Sequence, residues 1–132
     1  MRIAAAQLER IVAHARRDAP NECCGVVAMR DGVATDVREA VNAAASPFRF
    51  EVDGAQLYRL LEEIEGHGDE LGAIYHSHTR SEPYPSQTDL NFAALWPGVE
   101  WIIVGLDRAS EPLVRTYRID EGRVTEVDLE VS

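Results

Sequence analysis

Leu71-Gly72-Ala73-Ile74-Tyr75 is an apolar run that ends directly on His76-Ser77-His78, and that junction constrains the fold more than any other stretch of the chain. A short run with branched and aromatic members reads as a buried strand. Side chains two apart on a strand share a face, so His76 and His78 project together from the strand end and Ser77 faces the other way. Ser86 and Asp89 follow, giving H-x-H-x7-S-x2-D within one segment. Catalytic zinc takes three protein ligands of nitrogen and oxygen type and keeps a fourth position for water. The spacing nominates His76, His78 and Asp89 as that set.

Each half of the pattern also has an ordinary explanation. Paired histidines occur in strand cores, and Ser86-x-x-Asp89 fits a helix capping box. Glu22 alone would be a surface carboxylate beside a turn. Taken together, and with Glu22 upstream in Pro20-Asn21-Glu22-Cys23-Cys24-Gly25, these residues resemble the JAMM signature of the MPN (JAB) metalloprotease family. The resemblance runs from the first helix to about the last strand with no appended domain, the compact prokaryotic form.

That resemblance implies a Zn2+ ion on His76, His78 and Asp89, with Glu22 as the base beside the attacking water and Ser86 helping to hold the tetrahedral oxyanion. It implies an MPN/JAB-like, cytidine-deaminase-like fold and hydrolysis of amide or isopeptide bonds. The family's usual substrate is a ubiquitin-like or sulfur-carrier protein cut after its Gly-Gly tail, the tail binding extended as an added strand at a sheet edge. Glu-Cys-Cys-Gly in so short a chain is closest to members that release cysteine from a sulfur carrier in cysteine biosynthesis. One position departs from the pattern: the residue after the second histidine, often proline in relatives, is Thr79, which reads as a change in loop stiffness. The rival reading from another class is a non-catalytic MPN-type scaffold, but such members lose metal ligands and this chain keeps them all. A structural zinc site would normally be closed by four ligands rich in cysteine, and the sequence offers three.

Bulk properties agree with an intracellular enzyme. A chain of 132 residues is one domain by length and large enough to bury a core without staples. A formal charge of -10 disfavours nucleic acid, whose binding is driven by Lys and Arg neutralising phosphates. No run approaches the ~18 apolar residues that span a bilayer, and Glu9 and Arg10 interrupt the start too early for a secretory signal. A cytoplasmic location without membrane contact is expected, and a homodimer is compatible. Cys23 and Cys24 are adjacent and poorly placed to bridge each other, which fits a reducing compartment. Burial as small hydrophobes is the simplest role for them.

The remaining pattern gives an α/β or α+β sandwich with a mixed sheet flanked by helices. Leu8, Ile11, Val12 and Ala15 keep helical spacing, with His14 on the polar side and Pro20 closing the segment. Gly25 to Arg30 and Val33 to Val41 form a hairpin through Asp31-Gly32. Phe48 to Val52 alternates as a half-buried strand, and Leu57, Leu60, Leu61 and Ile64 define a second helix ending before His67, which is expected to be exposed. Ser86 opens a short helix to about Leu95. Val99 to Leu106 reads as a central strand covered on both faces, and Leu113 to Ile119 and Val124 to Val131 as the closing strands. Arg80 and Tyr84, in the loop between ligands, read as solvated residues with a chance of touching substrate.

Overall fold

The computed structural model describes residues 1–107 and 111–132. Eight strands form one mixed sheet: β1 (Arg2–Ile3), β2 (Cys24–Arg30), β3 (Val33–Ala40), β4 (Glu70–His78), β5 (Glu100–Gly105), β6 (Leu113–Asp120), β7 (Arg123–Val127) and β8 (Glu130–Val131), in the spatial order β7-β6-β5-β4-β2-β3-β1-β8. Among the described residues three helices cover it: α1 (Ala5–Asp18), α2 (Gly54–Gly66) and α3 (Gln87–Ala93). β4 lies inside the sheet, antiparallel to β2 and parallel to β5. Its pairings place His76 opposite Cys24 on one side and Ile103 on the other. Because both neighbours hold β4 along its length, its C-terminal end is a rigid platform.

Alternation along β4 divides the core. Ala73 and Tyr75 face α1, packing with Ile11, Ala15, Val27, Ile102 and Val104. Ile74 faces α2 and α3, among Cys24, Val26, Ile64, Trp101 and Ile103. Ile102 and Ile103 are fully enclosed on opposite faces, each contributing about 2 kcal/mol by burial. The reading of Val99 to Leu106 as a two-sided central strand holds. Both hairpin turns have the positive φ that suits tight antiparallel strands: Asp31 at 51° with Gly32 at 78°, and Glu121 at 51° with Gly122 at 76°.

Four sequence expectations need correction. Phe48 to Val52 is not a strand, since its one ladder contact is a bridge between Val52 and Asn42. Its alternation is real, with Phe50 buried and Phe48 exposed, but side-chain amide bonds from Asn42 replace a strand partner. Val124 to Val131 is two strands: β7 continues the hairpin with β6, and β8 runs parallel to β1 at the far edge of the sheet. The helix after Ser86 stops at Ala93, short of Leu95. His14 is buried rather than exposed, only 2% accessible, because its ring nitrogens find Tyr75 and Asp18 at 2.7 and 3.2 Å. Burial lowers its pKa against the raising effect of Glu39 and Asp18. His67 is exposed as expected.

Candidate active site

At the end of β4 the two imidazoles meet the first turn of α3. His76 Nε2 lies 3.1 Å from His78 Nε2 and 3.0 Å from Asp89 Oδ2, and His78 Nε2 lies 3.2 Å from the same oxygen. Three donor atoms thus form a nearly equilateral triangle. Atoms about 2.0–2.2 Å from one tetrahedral ion stand ~3.3 Å apart, so the triangle has the size of a three-ligand face. All three side chains are buried, His76 completely. A second carboxylate approaches the pair: an oxygen of Glu22 and the two ring nitrogens all lie within 4.8 Å of one another.

Local chemistry explains why the triangle forms. Ser86 is the N-cap of α3: its Oγ accepts from the Asp89 N–H at 3.2 Å, and Asp89 Oδ2 accepts from the Ser86 N–H at 2.9 Å. The capping box therefore aims the carboxylate back at the histidines, and the helix terminus favours its charge. Capping and metal binding, alternatives in the sequence, use the same residues. Burial pushes Asp89 toward neutrality, but His76, His78 and the Ser86 N–H outweigh it and hold the carboxyl well below its usual range. Ser86 itself is exposed.

The two rings are oriented by different means. His78 donates Nδ1–H to the Glu82 carbonyl at 2.8 Å, which leaves the Nε2 lone pair facing the triangle in the neutral ring, the usual outer-partner arrangement for a metal-ligating histidine. His76 Nδ1 is buried without a hydrogen-bond partner among the described residues. Its ring instead stacks on Phe50, centroids 4.5 Å apart. Burial lowers the His76 pKa, while for His78 the bonds to Asp89 and Glu82 overcome burial and raise it.

Glu22 sits just before β2, where its N–H donates to Ser46 O at 2.9 Å and its carbonyl accepts from Asn42 Nδ2 at 2.9 Å. It is 4% exposed, and its Oε1 is buried with no partner among the described residues. Burial, with the Asp89 charge adding to it against His78, pushes the carboxyl up to about 7. A buried orphan acceptor beside a triangle of N, N and O donors is what a bound cation with its water would satisfy. The residues present fit a metal ion.

Sequence reasoning missed the braces around this constellation. Thr79 is not merely a softer proline: its Oγ1 lies 2.9 Å from Pro20 O and 3.2 Å from Pro47 O, linking the segment after His78 to those carrying Glu22 and Phe50. Tyr117 Oη donates to Pro83 O at 2.5 Å, fixing the loop whose Glu82 carbonyl orients His78. Gly105 leaves room there, since a Cβ would stand 2.8 Å from Pro83. Only Thr79 announced itself in the sequence, as the departure from proline. Cys23 and Cys24 are free and face opposite cores. Burial pushes both thiols up to about 12, so they stay protonated in the metal-free protein and pack as small apolar side chains.

The relatives of this chain define its class, a JAMM-type hydrolase. The family model described as prokaryotic homologs of the JAB domain matches residues 4–120, and the chain belongs to that family. It is 37% identical over 123 residues to the CysO-cysteine peptidase of Mycobacterium tuberculosis, covering 92% of this chain and 84% of that protein. Over 113 residues it is 40% identical to the desampylase of Haloferax volcanii, covering 80% of each. A solution structure of a protein from Desulfitobacterium hafniense superposes with a TM-score of 0.85 at 26% identity, over 99% of this chain and 92% of that one.

Proposed function

We propose that the chain hydrolyses the bond joining a ubiquitin-like or sulfur-carrier protein to an amine, at a zinc ion held by His76, His78 and Asp89. The observation that carries this reading is the 3.0–3.2 Å triangle of His76, His78 and Asp89 with the unpartnered Glu22 carboxylate beside it. Relatives named for cleaving CysO-cysteine and for desampylation supply the substrate class. When bound, zinc supplies positive charge that acidifies water and polarises the scissile carbonyl.

The chain's own residues do the rest. Glu22 accepts a proton from the attacking water as the water oxygen bonds to the carbonyl carbon. As the C–N bond breaks, Glu22 returns that proton to the departing nitrogen, leaving a carboxylic acid and an amine, and transfer of the acid's remaining water proton gives carboxylate and ammonium. A carboxyl already lifted to about 7 is matched to both tasks near neutral pH. Ser86 Oγ accepts from Asp89 N–H and keeps its own proton for the developing oxyanion, a contact worth on the order of 100-fold. A Gly-Gly tail in extended form suits a buried triangle, because glycine adds no side chain to be accommodated beside it. Two unpaired cysteines fit a reducing cytoplasm, and no helix of the described residues is long and apolar enough to cross a membrane.

The test is turnover of a carrier conjugate with zinc and with a chelator. Glu22→Gln is expected to lose at least ~100-fold in kcat and Ser86→Ala on the order of 100-fold. Cleavage that survives chelation in the wild type would overturn the proposal.

A further inference from the structure

Ser77 stands between the two ligand histidines and is fully buried. Alternation along β4 puts its hydroxyl on the opposite face from theirs, the face that carries Tyr75 and meets α1, so it reaches the site only through the backbone. β2 begins at Cys24, which pairs with His76, and the next residues to face each other are Cys23 and Ser77. The Ser77 N–H donates to the Cys23 carbonyl at 3.2 Å. In a full antiparallel pair the Cys23 N–H would return a bond to the Ser77 carbonyl. It donates instead to Ser77 Oγ, at 2.8 Å.

That N–H belongs to the peptide group whose carbonyl is Glu22's, and the carbonyl accepts from Asn42 Nδ2 at 2.9 Å. One planar unit is thus held at both ends by buried side chains from different segments. The N–H of Glu22 is held as well, by Ser46 O at 2.9 Å. With the peptide groups on both sides of its Cα fixed, Glu22 has no soft backbone dihedral left, and its Cβ leaves in one direction. Its Oε1 finds no hydrogen-bond partner among the described residues, which leaves the aiming of the carboxylate to the backbone.

We propose that Ser77 is a positioning residue for the hydrolysis, acting through the role proposed above for Glu22: its hydroxyl holds the Glu22–Cys23 peptide in the plane that points the Glu22 carboxylate at the ring nitrogens of His76 and His78. The base and the two imidazoles are thereby indexed to the same strand, the imidazoles directly and the base from the strand's opposite face. The ligands have separate supports, His78 in the Glu82 carbonyl and Asp89 in the capping box, so loss of the hydroxyl should spare the ion and disturb the proton transfer.

A double-mutant cycle tests it, read as turnover of a carrier-aminomethylcoumarin conjugate by the zinc-loaded enzyme. A displacement of about 1 Å can cost on the order of 100-fold, so Ser77→Ala is expected to lower kcat about 30-fold, with KM and the zinc Kd each within about threefold of wild type. In a Glu22→Gln background the same substitution should lower the residual kcat by less than about threefold, because the group it aims is gone. Should Ser77→Ala fail to fold, Ser77→Cys takes its place in the cycle, keeping the shape while offering only a weakly accepting sulfur. An unchanged kcat, an equal loss in both backgrounds, or zinc binding weakened in step with kcat overturns the positioning role. A Glu22→Gln enzyme as active as wild type would instead overturn the reading of Glu22 beneath it.

Discussion

The side-chain amide of Asn42 donates to the carbonyl of Glu22 at 2.9 Å and to that of Arg49 at 3.0 Å, while its oxygen accepts from the N–H groups of Ala44 and Glu51, each at 3.0 Å. One buried amide thus spends all its hydrogen-bonding capacity on tying the Glu22 backbone to the loop that carries Phe50, the ring stacked on His76. Asn42→Ala would leave two carbonyls and two N–H groups without that partner. The cost is expected to be about 3 kcal/mol in denaturant unfolding, with kcat falling about 10-fold in whatever fraction stays folded.

Thr79 makes the parallel tie from the other side, reaching Pro20 O and Pro47 O. Thr79→Val keeps the shape and removes the hydroxyl, so stability should fall by about 1 kcal/mol and kcat by about 10-fold with KM little changed. Thr79→Ser should restore kcat to within a factor of about three. Loss of kcat in Thr79→Ser with kcat retained in Thr79→Val would mean that the methyl group, not the hydroxyl, matters.

Glu22 is expected to oppose stability in the metal-free protein. Its folded carboxyl titrates near 7 against an ordinary 4.5, so the folded state holds more protons than the unfolded state in that window. Stability is therefore full below about 4.5 and declines as pH rises through about 7. With solvent screening, the loss above 7 is on the order of 1–2 kcal/mol. Glu22→Gln should abolish turnover yet be more stable than wild type at pH 8 in chelator, with the two converging at pH 4.5. Thermal unfolding at the two pH values reads this directly.

Gly25 owes its place to a close approach. A Cβ built there would stand 2.3 Å from the ring and hydroxyl of Tyr75, which is fully enclosed and bonded to His14 at 2.7 Å. Gly25→Ala should cost about 3 kcal/mol, seen as a lower denaturant midpoint at unchanged m-value. It should also disturb β4 one residue before His76.

How far the sequence could be read follows from what kind of interaction held each part. The strand ending on His76 and His78, the helix on Leu8, Ile11 and Ala15, and the Asp31-Gly32 turn are written in periodicity and local chemistry, and all are present. Spacing on a strand and in a capping box brings His76, His78 and Asp89 together, whereas Glu22 and Ser86 are nominated through the resemblance to the JAMM signature. His14 misled because its polar neighbours on α1 suggested solvent, whereas Tyr75 and Asp18 gave the ring buried partners. Phe48 to Val52 misled because alternation records burial of one side, and Asn42 rather than a strand supplies that segment's bonds. The braces through Thr79, Asn42 and Tyr117 join residues distant in sequence, and no local pattern encodes such pairs.

Two carboxylates face the histidine pair, with Asp89 proposed to hold the ion and Glu22 the proton. Zinc-binding isotherms of the wild type, Asp89→Ala and Glu22→Gln separate those roles without any substrate. Asp89→Ala is expected to weaken zinc at least ~100-fold, since one of three protein ligands is gone, and Glu22→Gln to stay within about threefold of wild type. Strong binding by Asp89→Ala together with loss of zinc from Glu22→Gln would contradict it.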